Sequence, residues 1–481
     1  MKNSLFKNSI FNIIYTLSNI IFPFLTSIYV SRILLPYGVG KVAVAQNLAS
    51  YFVAIAAFGL PAYGVREFAK VREKKEEKNK VFTELFLINI ISTTVAVIIY
   101  IAIVVLNNGF NGEWKLYIIC SLSIFFNYIN IDWIYKGLEE YGYITVRSLI
   151  VKVVSFAALL VFVKTKDDYI TYALIICLAT GSNYIFNIIN SRKYVHFTFK
   201  GLSVKAHLKP LMLIALIAFL STIYNKVDVT MLNILSTEEA VGYYIYSQKT
   251  INLVITMTIA ITTALLPRLS YYYENSKEEF YSLLNKGFQV LSLTTIPCCI
   301  GICLVSQTAV KVLYGDAFSP AATGIVYMCP LILIKGFGDL FCYQLAFSTK
   351  NEKIIIPAST AASIINIVLN LIFIPILAQN GAVIASVLSE LITNLIQYIY
   401  IKRSLKYKID LKPLFSIGIA ALGMSAAVVL LKMINLSDIG SLLISICGGA
   451  LVYVIINLAF GNKIMSEIFN RVGRCLRIKH E

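Results

Sequence analysis

The chain has 481 residues, 58% of them hydrophobic and 14% charged, with a formal net charge of +17. Soluble domains run at roughly 45–50% apolar and about 25% charged, so a mean hydropathy of +0.76 excludes a water-soluble enzyme or binding module with a polar coat. The basic excess would suggest nucleic acid in a soluble protein, but its placement along this chain gives it another meaning.

Fourteen apolar stretches follow one another from Ser9 to Phe460. Each is near the roughly 20 residues that cross a bilayer as a helix at about 1.5 Å per residue. The first, 9–30, follows Lys2 and Lys7 as a signal peptide would. Its length and its lack of a small-x-small cleavage site make it a retained span. Next come 42–61, 82–106, 115–136, 147–163 and 169–190, then a polar segment, 191–210. The series resumes with 211–235, 241–266, 287–306, 323–347, 354–377 and 382–401, and ends with 413–434 and 439–460. The connections are too short for a soluble catalytic domain.

With the N-terminus in the cytoplasm, the loops on that side hold 31 Lys/Arg. The opposite loops hold 6: Arg32, Lys41, Lys115, Lys164, Lys166 and Lys311. This positive-inside bias places both termini in the cytoplasm, with an even number of passes. The basic residues then serve topology and contact with membrane lipids, and no nucleic-acid partner is expected. Eight of the nine cysteines lie in apolar stretches, Cys475 lies in the tail, and no CxxC spacing occurs. They read as small buried apolar residues, and no metal site is expected.

The chain repeats itself at an offset of 202 residues: Gly40 falls on Gly242, Gln46 on Gln248 and Arg66 on Arg268. The spans register too, 9–30 on 211–232 and 82–106 on 284–308. A repeat of six spans starts each half on the same side of the membrane, so the halves are expected to be related by a pseudo-two-fold along the membrane normal. The fold expected is all-α and integral to the membrane. It comprises a six-helix lobe over 1–190, a cytoplasmic linker over 191–210 and a second six-helix lobe over 211–401. Two extra helices and a basic cytoplasmic tail follow over 402–481. Such a duplication builds a cavity at the lobe interface and permits alternating access, which argues for a transporter.

The stretch LLPYGVGKVAVAQNLASYFVAIAAFGLPAYGVREFAK resembles the N-terminal signature of polysaccharide flippases. The stretch YNKVDVTMLNILSTEEAVGYYIYSQKTINLVITMTIAITTALLPRLS is similar to their seventh and eighth helices. The resemblance is to the O-antigen and capsule repeat-unit flippase family of the multidrug/oligosaccharidyl-lipid/polysaccharide exporter superfamily, and by span count it runs the length of the chain. It implies a MATE-like fold in the bacterial cytoplasmic (inner) membrane. The cargo it implies is an oligosaccharide on undecaprenyl pyrophosphate, moved from the inner to the outer leaflet, with other polysaccharide-assembly proteins as candidate partners. Relatives in the superfamily include lipid II flippases and multidrug exporters.

A polyprenyl tail can stay in lipid, but a pyrophosphate with sugars cannot cross hydrocarbon unshielded. The cargo therefore needs a central cavity with cations. Lys249 lies about eight residues into its span with no charged neighbour one turn away, and is the sharpest candidate; an interhelical polar contact is the alternative. Lys226 and Asp228 are two apart and point to different faces. Arg66 and Arg268 close the two repeats, where guanidinium forks suit an incoming pyrophosphate or serve as positive-inside anchors. Arg32 and Lys41 flank the first outer loop and are further candidates for phosphate contact. Asp132 and Lys152 read as snorkelling residues near span ends, and Lys335 and Asp339, four apart, as a pair on one helix.

No Gly-x-x-x-x-Gly-Lys-[Ser/Thr] loop is present, so no nucleotide cofactor is expected. Coupling to Na+ or H+ would fall to Glu390 first, then to Asp228 or Asp339. Two other functions compete. A multidrug exporter sits badly with cavity lysines that repel organic cations. A membrane oligosaccharide polymerase would need a sizeable outer loop, whereas His196, His207 and His480 all fall on the cytoplasmic side. The chain is therefore not expected to be an enzyme.

Overall fold

A computed structural model describes residues 2–107, 112–405, 409–467 and 469–470, and every regular element among them is helical. Among the described residues, twelve helical stretches are long and apolar enough to cross a membrane. The first, Ile10–Lys70, contains two of the expected spans, and Trp114–Ile129 is a shorter apolar helix where the fourth was expected. The chain folds as two compact units, Met1–Gly242 and Tyr243–Glu481.

The first unit contains α1 (Lys2–Ala57), α2 (Leu60–Lys70), α3 (Lys75–Leu106), α4 (Trp114–Phe125), α5 (Asp132–Gly137), α6 (Tyr141–Phe162), α7 (Tyr169–Ser191) and α8 (Val204–Leu235), and ends in the first turns of α9 (Glu238–Thr263). Helix α1 is broken into two arms at Leu35, where φ is 60° and ψ is 175°. Pro36 is the cause, since a proline ring clashes with a helical residue before it. The resulting elbow meets the start of α9 at van der Waals distance, backbone against backbone. A Cβ on Gly40 would overlap the carbonyl of Glu238, and one on Gly242 would overlap the carbonyl of Pro36. The two contacts exchange at the offset of 202 residues, because 36 meets 242 while 40 meets 238. The sequence repeat therefore has a physical expression at this crossing.

At the other end of α1, Phe58 and Gly59 reverse the chain with φ of 45° and 74°. Pro61 then opens α2, where its missing N–H costs no helical hydrogen bond. Helices α2, α3 and α5 share a core of Leu60, Phe68, Phe82, Leu85, Trp133 and Tyr135. The polar segment before α8 is fastened to α3. Backbone N–H groups of His196 and Thr198 donate to Asn79 Oδ1 (2.9 Å) and Thr83 Oγ1 (3.0 Å), and that of Ser203 donates to the Glu84 carboxylate.

The second unit holds the rest of α9, α10 (Leu266–Asn275), α11 (Lys277–Tyr314), α12 (Ser319–Met328), α13 (Pro330–Gly338), α14 (Leu345–Ser348), α15 (Ile355–Leu377), α16 (Gln379–Ser404), α17 (Lys412–Lys432) and α18 (Asp438–Ala459). Helix α11 starts on a capping sequence, with Ser276 accepting from the Glu279 N–H and two glutamates in the first turn. The span expected at 323–347 is interrupted twice. Pro330 opens α13, and one wide π turn, Asp339–Gln344, separates α13 from α14. Such turns leave backbone carbonyls under-used and cluster where function bends a helix. The two C-terminal helices pack on α11 through Leu293, Val305, Ile417, Met424 and Tyr453, and the Tyr453 hydroxyl donates to the Leu293 carbonyl at 3.0 Å.

Candidate functional site

In the first unit, a cavity of about 300 Å³ lies beside the α1 elbow, lined by Tyr37, Lys41, Glu113, Tyr117, Asn233 and Glu238 among others. Lys41 does not stand alone there. Its Nζ is 2.5 Å from Glu113 Oε1, and Tyr169 donates to the same carboxylate at 2.9 Å. The ammonium also lies over the Tyr37 ring, 4.6 Å from its centre. Arg32, on the arm of α1 before the elbow, is exposed.

Along the seam between α1 and α8, buried Asn47 donates to the Lys226 carbonyl (3.2 Å) and to Thr230 Oγ1 (2.8 Å). Tyr51 also bonds Thr230 at 2.8 Å. These bonds use the backbone and the face of α8 toward α1. Asp228 is buried, whereas the Lys226 side chain is exposed and makes no ion pair among the described residues. The two residues do point apart, as their spacing requires.

Two further clusters carry polar groups that spacing alone did not reveal. Arg147 on α6 is 7% exposed; its Nη1 lies 3.4 Å from Asp132 Oδ1 and also donates to Asn187, which in turn donates to Asp132. Asp132 is thus an ion-pair partner and not a snorkelling residue, because the helix expected over 115–136 breaks after Ile129 and restarts as α5. Lys152 likewise donates inward, to Ser18 Oγ (2.8 Å) and Asn19 Oδ1 (2.7 Å) of α1. Where the linker joins α8, His207 Nε2 lies 2.9 Å from Glu84 Oε2 and Nδ1 lies 2.8 Å from the Tyr63 hydroxyl. The imidazole thus ties α8 to Glu84 of α3 and Tyr63 of α2. Arg66 caps it from outside, exposed, over the Tyr63 ring at 5.2 Å and paired with Glu67 at 3.1 Å.

In the second unit, Lys249 is half-buried with its ammonium 4.9 Å from the centre of the Tyr246 ring. Tyr246 is held by Tyr314 and Phe318, at centroid distances of 4.6 and 4.5 Å. Arg268 on α10 is exposed. Lys335 pairs with Glu390 of α16 at 3.6 Å, and Asp339 accepts instead from Thr262 and from Gln344 (2.9 Å). The expected Lys335–Asp339 pair is corrected: each side chain has a partner elsewhere, Lys335 across to α16 and Asp339 to α9 and to Gln344 in the same π turn. Glu390, the first candidate for ion coupling, therefore has a cation beside it, supplied by α13.

Residues 5–273 match the family described as polysaccharide biosynthesis protein. The chain belongs to that family. Within the polysaccharide biosynthesis family it is similar to the putative O-antigen transporter of Escherichia coli (strain K12), with 20% identity over 409 residues covering 84% of this chain and 98% of the relative. It also matches a probable low-salt glycan biosynthesis flippase of Haloferax volcanii at 23% over 244 residues, which is 49% of this chain and 50% of that protein. Among solved structures, the fold is shared with a lipid II flippase in an inward closed conformation: TM-score 0.75, 19% identity, 95% of this chain and 99% of that one. An inward-facing multidrug resistance MATE family transporter follows at TM-score 0.61 and 15% identity, covering 80% of this chain and 93% of that one. The relatives named here are transporters and flippases rather than enzymes, and this chain shares its fold with the lipid II flippase.

Proposed function

We propose that the protein carries oligosaccharides linked to undecaprenyl pyrophosphate from the inner to the outer leaflet of the bacterial cytoplasmic membrane by alternating access, with both termini in the cytoplasm. The observation that carries this reading is Lys226, a cationic residue within an apolar helix that makes no ion pair among the described residues. A charge so placed costs about 2.5–3.5 kcal/mol against lipid, so its retention argues for a wet or anionic neighbour. Lys249, its ammonium over the Tyr246 ring, is the second cation proposed to meet a phosphate. Outward movement of an anionic cargo is favoured by the membrane potential at about 2.3 kcal/mol per charge per 100 mV. Any coupling to Na+ or H+ would act through Asp228, Asp339 or Glu390, and for Glu390 the ion would compete with Lys335.

In cells lacking the native gene, Lys226→Ala should restore normal protein level in the membrane but lower surface polysaccharide by roughly tenfold or more. That is the loss expected from one hydrogen bond to a charged group. Lipid-linked oligosaccharide should accumulate, and Lys226→Arg and Lys249→Arg should retain most of the output. Normal polysaccharide from both Lys226→Ala and Lys249→Ala would reject the reading.

A further inference from the structure

The cavity beside the α1 elbow has a chemistry that the phosphate argument leaves unused. Lys41 reads from sequence as a phosphate ligand, but its ammonium is already taken by Glu113 at 2.5 Å, and Tyr169 adds a hydroxyl to the same carboxylate. A second carboxylate, Glu238, faces the same space, so two acids oppose one paired cation. A phosphate entering there would meet net negative charge.

A sugar ring would meet the opposite. Tyr37 is 45% exposed and offers a face for C–H groups, and Tyr117 lines the same space. Glu113 and Glu238 accept from hydroxyls, while Asn233 both donates and accepts. At about 300 Å³ the volume is at the lower edge of ligand pockets, enough for a sugar ring and too small for a polyprenyl chain. The glycine-mediated crossing of α1 and α9 holds the backbone of Glu238 against Gly40, beside Lys41 in the same wall.

We infer that this cavity is a saccharide subsite, which seats a neutral or amine-bearing sugar of the cargo while the phosphates are held elsewhere. The inference rests on the flippase reading above. Lys41 serves as a positioning residue, holding Glu113 in place by their ion pair.

The test uses full-length protein in lipid nanodiscs and native mass spectrometry. Two probes are compared: bare undecaprenyl pyrophosphate, and undecaprenyl pyrophosphate bearing the oligosaccharide extracted from the cells that make the protein. Trp114, exposed and next in sequence to Glu113, gives a second readout through its emission. The wild type should prefer the sugar-bearing lipid by tenfold or more. Tyr37→Leu and Asn233→Ala, taken separately, should shrink that preference below threefold while binding bare lipid as before, and Tyr37→Phe, which keeps the ring, should preserve it. An intact preference in both variants, no preference in the wild type, or equal loss of both lipids would overturn the subsite while leaving the flippase reading in place. A wild type that binds neither lipid would remove both.

Discussion

Exchanging Asp132 for asparagine should destabilise the protein more than exchanging Arg147 for methionine, and the two changes together should cost less than the first alone. The asymmetry follows from what each single change strands. Asp132→Asn leaves a guanidinium that is 7% exposed, cannot give up its proton and keeps only the neutral Asn187 as a side-chain hydrogen-bond acceptor beside the new asparagine. Breaking a buried pair in that sense costs about 3–5 kcal/mol. Arg147→Met strands a carboxylate whose side chain is 23% exposed, and which still accepts from Asn187. That group can take a proton from water, so its cost is nearer the roughly 1–3 kcal/mol of an unmet hydrogen-bonding group. The double change leaves two neutral groups of similar volume, a replacement that is often close to neutral. Denaturant titration of the purified protein in detergent, followed by far-UV circular dichroism, reads the four stabilities. Additive costs would show that the two side chains do not act as a pair.

The parts of this protein that could be read from the sequence are those that depend on one helix at a time. A pass needs about 20 apolar residues whatever it packs against, so the series of spans reappears, including the two joined across Leu35. Pro36 also acts locally, and the elbow appears beside it, while Gly40 and its counterpart Gly242 stand where α1 and α9 cross. Partners across helices were not legible in the same way. The four-residue rule gives Lys335 to Asp339, whereas the packing of α13 on α16 gives it to Glu390. Asp132 was read at the end of one helix, although the run FNYINID holds three asparagine or aspartate residues and breaks there. Glu84 and His207 are 123 positions apart, and only the docking of the linker on α3 brings them together. Lys41 was visible as a cation, but its neutralisation by Glu113 depends on where α4 begins relative to the elbow. Charge could be located from the sequence; its pairing required the packing.

The largest effect of a single methyl group should fall at the elbow. Gly40→Ala and Gly242→Ala each place a Cβ against a backbone carbonyl, that of Glu238 and that of Pro36. A flexible side chain could swing away, but a carbonyl moves only with its helix, so relief means separating α1 from the start of α9. Overpacking of this kind costs about 1–3 kcal/mol, and valine at either position should cost more and leave little folded protein in the membrane. Gly418 in α17 supplies the contrast, since a Cβ there meets nothing within 4 Å. Alanine at that position should stabilise by about 0.5–1 kcal/mol through helix propensity alone. Because residues 36, 40, 238 and 242 form one reciprocal crossing, the strain should not simply add. Once the first methyl has pushed the segments apart, the second enters space already opened, and the double alanine variant should cost clearly less than the sum. Melting temperatures of the four proteins in one detergent measure this directly. A Gly40→Ala variant as stable as the wild type would mean that the backbones do not touch there, and the shared offset of the two contacts would then have no structural meaning.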